Sequence, residues 1–88
     1  MDYDLAQLAE ACFGRLKGDR AKKIHSVASL ESAGPEQLAY HLSDTRNKHD
    51  LDTTKAGAVL LDVAGSKKYK GNAIIVANPQ LAFATLAK

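Results

Sequence analysis

Two short apolar runs, at 58–61 and 73–77, set the architecture that this chain can adopt. The first, Ala58 to Leu61, is entered through Gly57 and left at Asp62, and the second comes after a loop rich in lysine. Neither run alternates apolar with polar residues, and such a pattern is typical of a strand that is covered on both faces. The sequence therefore predicts two covered strands, with the first in the centre of its sheet.

An amphipathic helix is predicted near the N-terminus. Its apolar residues recur at spacings of three and four: Leu5, Leu8, Ala9, Cys12 and Phe13. This spacing places them on one face, which packs on a core. Asp4 and Gln7 are spaced as a capping box at the start, and Gly14 is a stop signal. On the buried face we interpret Cys12 as a small core residue and not as a nucleophile.

A second helix is predicted at the other end of the chain. Asn78 and Pro79 form a strong cap and first-turn pair. The apolar residues after them surround most of the helix: Leu81, Ala82, Phe83, Ala84, Leu86 and Ala87. Such a helix needs cover on several sides. Because the chain stops at Lys88, we expect that further sequence continues beyond it or that a partner packs there.

Shorter elements are predicted between these segments. Two strands, Ile24 to Ala28 and Leu38 to Leu42, alternate in pattern. Segments 15–23 and 65–71 are basic and are interpreted as solvated loops, with attraction of a phosphate group as the alternative for 15–23. A polar helix capped by Ser43 or Asp44 is expected to continue to about Asp52. The order of strands and helices predicts a single α/β domain over residues 1–88, with a small mixed β-sheet flanked by helices.

Composition excludes several classes of protein. With 88 residues, 45% apolar and 25% charged, the chain has the composition of one small globular domain. Its net charge of +2 is too small to indicate nucleic-acid binding. A single cysteine allows no internal disulfide, and no apolar run is long enough for a transmembrane segment. Without a secretory signal, we expect a cytoplasmic protein.

The chain lacks every short motif that carries a mechanism, such as a phosphate-binding loop or a nucleophile elbow. The histidines His25, His41 and His49 are not spaced as metal ligands, and one cysteine cannot complete a closed zinc site. We therefore predict no catalytic residue, no metal and no cofactor in this chain.

Residues 40–47 form the best candidate binding site. Tyr40, His41, Asp44 and Asn47 bring a ring and hydrogen-bonding groups together where a strand is followed by a helix. A ring can stack on a planar base, and an Asn or Asp side chain can bind its edge. An alternative needs no ligand: Tyr40 is a half-buried strand aromatic and Asp44 caps a helix.

Three segments carry a family resemblance: SVASLESAGPEQLAY (26–40), TTKAGAVLLD (53–62) and NAIIVANPQLAFATLAK (72–88). In order and interval they resemble the N-terminal domain of UDP-3-O-(3-hydroxyacyl)glucosamine N-acyltransferase, a lipid A (lipopolysaccharide) biosynthesis enzyme of Gram-negative bacteria. The resemblance implies a domain that recognises the uridine nucleotide of an acylated UDP-glucosamine. In the family a left-handed β-helix comes after this domain, and that part is absent here.

The resemblance also implies what this chain does not do alone. In the family the catalytic histidine, the contacts with acyl carrier protein and the trimer interface belong to the β-helix and the C-terminal segment after it. We therefore expect this chain to be inactive as a transferase and monomeric by itself. The full-length enzyme is expected to be a trimer that meets acyl carrier protein only through the missing domain.

The family's uracil site is matched only in part. There the base lies between two rings, with an aromatic residue at the strand end, an amide three residues later and a tyrosine three beyond. Matched from GPEQL, Tyr40 takes the place of the first ring; matched from TTKAGA, Asp44 takes that of the amide and Asn47 that of the second ring. The two matches differ by one residue, so one extra residue lies near His41, which is a reserve stacking face. The alternative function is a protein-interaction or regulatory module that kept the fold and lost nucleotide binding.

Overall fold

A computed structural model describes residues 3–41, 54–67 and 69–86. The elements are β1 (Tyr3–Asp4), α1 (Leu5–Ala11), β2 (Arg15–Lys17), β3 (Lys23–Ile24), β4 (Ser26–Val27), β5 (Gln37–Tyr40), β6 (Ala58–Leu61), α2 (Val63–Ser66), β7 (Ala73–Ile75) and α3 (Pro79–Leu86). The polar helix predicted between Ser43 and Asp52 lies outside the described residues.

Five strands form one mixed sheet in the order β2-β7-β6-β5-β4, and β1 pairs with β3 in a separate antiparallel ladder. Strands β4 to β7 are parallel to one another, whereas β2 is antiparallel to β7 at one edge. Strand β6 is central and buried along its whole length. The predicted α/β domain and the central strand at 58–61 are confirmed, and the described residues contain no β-helix.

The two faces of the sheet carry separate apolar clusters. On one face, Leu38, Leu60 and Ile74 pack with residues of α1 and α3. On the other, Val59 and Leu61 pack with residues of the connecting loops. Because successive residues of a strand point to opposite faces, a strand with both faces covered has no place for a polar residue.

Helix α1 begins as the sequence predicts. The Gln7 N–H donates to the Asp4 carboxylate at 2.8 Å, and the Gln7 side chain accepts from the Asp4 N–H at 3.0 Å, so the capping box is confirmed. Near the other end, Cys12 packs against the core, and its thiol donates to the Leu8 carbonyl at 3.2 Å. This placement agrees with its position on the apolar face.

Phe13 does not lie on the buried face, and that prediction is wrong. The Gly14 N–H donates to the Ala9 carbonyl at 2.8 Å and the Phe13 N–H to the Glu10 carbonyl at 3.3 Å, which is a Schellman turn. In this turn Phe13 takes the left-handed position, with φ of 57°. The helical spacing therefore ends before Phe13, whose side chain is 96% exposed.

The basic segment 15–23 is not a loop throughout, because Arg15–Lys17 forms β2. Lys17 is held by long-range contacts: its ammonium donates to the carbonyls of Ser66 and Tyr69, both at 2.8 Å. The segment that includes Gly65 was also predicted as a loop, but Val63–Ser66 forms the short helix α2. Strand β2 depends on a partner distant in sequence, β7, whereas α2 begins at a local cap supplied by Asp62.

The strand predicted from Ile24 to Ala28 is divided between two ladders. Ile24 belongs to β3, which pairs with β1, whereas Ser26 and Val27 belong to β4, which pairs with β5. Between them the His25 N–H donates to the Glu36 carbonyl at 2.8 Å. As a result Ile24 and Val27 pack on the same cluster, contrary to the alternation predicted.

The helix predicted from Pro79 is confirmed as α3. The Leu81 N–H donates to the Asn78 side-chain oxygen at 3.1 Å, so Asn78 caps its start. Pro79 and Ala82 are buried, whereas Leu81 is 63% exposed. The described part of α3 is therefore covered on one side and not on several.

Candidate functional site

Tyr40 and His41 lie where β5 ends. Tyr40 is the last residue of the strand and is paired with Leu60 of β6. His41 is the next residue, and its N–H donates to the Leu60 carbonyl at 3.0 Å. Because β5, β6 and β7 are parallel, their carboxyl ends meet at one edge, where open α/β sheets usually bind ligands.

The Tyr40 ring is held by an aromatic neighbour. Tyr40 is partly buried and packs on the cluster shared with α1 and α3. Its ring centroid lies 4.7 Å from that of Phe83, with the ring planes tilted by 46°. This is a common geometry for an aromatic pair. The half-buried strand aromatic considered from sequence is thus observed in the structure, and its role in stacking stays a prediction.

His41 is more enclosed than its sequence position indicates, with only 6% of its surface exposed. This burial limits the area that its imidazole can offer to a base. Tyr40 is therefore better suited to stacking, as the resemblance also implies. The stacking role of His41 stays a prediction of second rank.

Asp44 and Asn47 lie outside the described residues. Their contacts with Tyr40 therefore stay predictions. The residues on either side of this segment are hydrogen-bonded to the sheet. The His41 N–H donates to Leu60 of β6, and the Gly57 N–H donates to the Gln37 carbonyl at 2.9 Å. The segment that carries these two residues thus begins at one parallel strand and leads into its neighbour.

Sequence reasoning missed an open cavity of about 580 Å³ at the carboxyl ends of β6 and β7. Phe13, Arg15, Asp62, Val63 and Ile75 are among the residues that line it. The Asp62 carboxylate accepts from the Gly65 N–H at 2.7 Å and so caps α2. Phe13 and Val63 are exposed at 96% and 62%. The sequence feature that could have indicated this cavity is Phe13, an aromatic residue directly before Gly14, where the helix was predicted to stop.

Two titratable groups, Cys12 and Tyr69, are affected by burial. Burial raises the pKa of the Cys12 thiol and of the Tyr69 hydroxyl. His25 and Glu36 form an exposed pair at 3.6 Å, near the start of β5 and thus away from Tyr40. Over residues 3–41, 54–67 and 69–86, no group of three His, Cys, Asp or Glu is arranged to hold a metal ion.

The helices in the described part of the chain do not combine the length and apolar character that a membrane span requires.

The family model and the related proteins that match this chain agree on one enzyme family. Residues 21–88 match the family model described as UDP-3-O-(3-hydroxymyristoyl) glucosamine N-acyltransferase, LpxD. The UDP-3-O-acylglucosamine N-acyltransferase of Ectopseudomonas mendocina is 46% identical over 97% of this chain and 24% of its own length. The protein of the same name from Pseudomonas aeruginosa is 40% identical over 99% and 24%.

The relative from Shewanella denitrificans, also a UDP-3-O-acylglucosamine N-acyltransferase, is 39% identical over 100% of this chain and 26% of its own length. The chain thus spans about a quarter of the length of these relatives. Since the family model matches most of the chain and the relatives align along nearly all of it, this protein belongs to the UDP-3-O-acylglucosamine N-acyltransferase (LpxD) family.

Proposed function

We propose that this chain is the substrate-recognition domain of an N-acyltransferase of lipid A biosynthesis, and that it binds the uridine nucleotide of the acylated UDP-glucosamine. The observation that supports this most is the position of Tyr40, a partly buried ring at the carboxyl end of a parallel strand. The chain contributes binding, while acyl transfer and contacts with acyl carrier protein belong to the remaining length of such enzymes.

Tyr40 supplies the stacking face, and Asp44 and Asn47 contact the polar edge of the base or the ribose. Stacking of a base on an aromatic side chain contributes about 1 to 3 kcal/mol. Asn47 stands where the family has a second ring, so the affinity falls by about tenfold to a hundredfold relative to a two-ring site. Asp44 accepts hydrogen bonds but donates none, and its charge opposes an anionic ligand.

A titration of the isotope-labelled protein with UDP and UDP-N-acetylglucosamine, followed through backbone amide shifts, tests this proposal. We expect saturable shifts clustered at residues 40–47. Tyr40→Ala should weaken UDP binding by about fivefold or more because it removes the stacking face. Tyr3→Ala is the matched control, since Tyr3 lies in the other sheet and is 47% exposed. No shifts at millimolar UDP would contradict the proposal.

A second function, a protein-interaction module without a nucleotide site, is favoured by the exposed Phe13 and Val63 beside an open cavity. Apolar side chains grouped at a surface often mark a contact with another macromolecule. Absence of uridine binding in the titration supports this alternative, whereas binding that depends on Tyr40 argues against it.

A further inference from the structure

We infer that Phe83 is a positioning residue for nucleotide binding, which holds the Tyr40 ring in the orientation that stacks on a base. This inference rests on the proposed function and assigns a role in it to a residue of α3. Phe83 would act through Tyr40 and would not itself touch the nucleotide.

The first support is that Phe83 stands on a fixed element. Helix α3 starts at the Asn78 cap, where the Ala82 N–H donates to the Asn78 carbonyl at 3.0 Å. Pro79 and Ala82 are buried, and Ala82 belongs to the core cluster against which Phe83 packs. The backbone that carries Phe83 is anchored in this way and its ring packs on the core, so it is a suitable support for a neighbouring side chain.

The second support is the geometry of the ring pair. The centroids of Tyr40 and Phe83 are 4.7 Å apart and the rings are tilted by 46°. A base inserted between two parallel rings needs about 7 Å between them, twice the usual contact distance of about 3.5 Å. Phe83 therefore cannot serve as the second ring of a sandwich in this arrangement. It can only cover part of Tyr40 and leave the remaining surface for a ligand.

The third support is the composition of the proposed site. Besides His41, which is only 6% exposed, Tyr40 is the one ring that the proposed binding residues offer to a base. A site with one ring depends on the orientation of that ring, because no opposite face captures a base that is misplaced. Holding the ring before binding removes an ordering cost that would otherwise lower the affinity. The attraction between two aromatic rings raises the equilibrium constant for the paired arrangement by a factor of about two to ten.

The test compares variants of Phe83 in the UDP titration of the labelled protein. Phe83→Leu keeps an apolar side chain and removes the ring, so we expect a two- to tenfold weaker affinity for UDP. Phe83→Tyr keeps the ring and should bind as the wild type does. Leu81→Ala is the control on the same helix, since Leu81 is 63% exposed and should leave the affinity unchanged.

Two outcomes separate this inference from the proposed function. If wild type binds UDP and Tyr40→Ala does not, while Phe83→Leu binds as wild type does, Phe83 has no positioning role and the proposed function stands. If wild type shows no binding, the proposed function fails and the inference fails with it.

A further measurement on the wild type covers the case in which Phe83→Leu does not fold. Nuclear Overhauser contacts between the rings of Tyr40 and Phe83 should persist at saturating UDP. Their loss on binding overturns the inference, because the pair would then separate when the nucleotide arrives.

Discussion

Of the two phenylalanines of the chain, Phe83 packs against the core and Phe13 is exposed to solvent. Phe83 packs on the core from within α3 and pairs with the Tyr40 ring. Phe13 lies just beyond the cap of α1 in a left-handed conformation and is 96% exposed. Both continue an apolar helical spacing, so the spacing does not distinguish them. What distinguishes them is whether the backbone is still helical at that position.

The position of Gly14 explains why Phe13 is displaced. A β-carbon on Gly14 would collide with the Ile74 side chain and lie 2.9 Å from Cγ1 of Val76. Glycine is therefore required where the chain passes closely over β7. The left-handed position of the turn, which glycine normally occupies, falls one residue earlier on Phe13. The close approach of the chain to the sheet decides which residue is exposed.

The largest expected effect comes from truncating the two phenylalanines separately. Phe83→Ala should lower the free energy of unfolding by about 3 kcal/mol, because it removes apolar contacts and leaves a cavity. Phe13→Ala should change it by less than about 0.5 kcal/mol, because its side chain contacts mostly water. Urea denaturation of both variants measures the difference. Equal losses would show that Phe13 is also packed, and the comparison would be wrong.

The next largest effect concerns the glycine that displaces Phe13. Gly14→Ala should destabilise the protein by about 2 kcal/mol, since the new methyl group overpacks the contact with β7. Gly34→Ala is the matched control, because its β-carbon would meet nothing closer than the Gln37 side chain at 3.7 Å. Thermal and urea unfolding of the two variants measure the difference in their stability. A tolerated Gly14→Ala would mean that α1 and β7 can move apart.

The smallest effect is a pH dependence at Cys12, beside Phe13. Burial raises the pKa of its thiol above the ordinary value of 9.0. The folded state therefore binds the thiol proton more tightly than the unfolded state does. The resulting stabilisation of the folded state is complete below pH 9.0 and is lost as the pH rises through the pKa of Cys12 in the folded protein. At pH 8 iodoacetamide should react more slowly with folded protein than with the chain unfolded in urea. Equal rates would place Cys12 with Phe13 on the exposed side.

Local patterns predicted the elements that depend on local physics. The capping box of Asp4 and Gln7 and the cap at Asn78 are short-range hydrogen bonds, so spacing alone reveals them. The covered strand at 58–61 is equally visible because both of its faces require apolar residues. These features fix the order of the main elements and the centre of the sheet.

The remaining features depend on contacts between distant segments. Strand β2 contains two charged residues around Leu16, and it forms because β7 offers an edge to pair with. The candidate site shows the same limit: the position of Tyr40 at a strand end was predicted, but its contact with Phe83 was not. Periodicity carries no information about which helix covers which strand, so such pairs cannot be obtained from spacing.

Lys17 joins two segments that are far apart in the sequence. Its ammonium donates to the carbonyls of Ser66 and Tyr69, which lie in α2 and in the connection to β7. Breaking this contact would leave a charged group and two acceptors without their partners, so the edge strand and the connection tend to open in the same event. In amide hydrogen exchange, β2 and the residues before β7 would therefore behave as one cooperative unit, although Lys17 and Ser66 are 49 residues apart in the sequence.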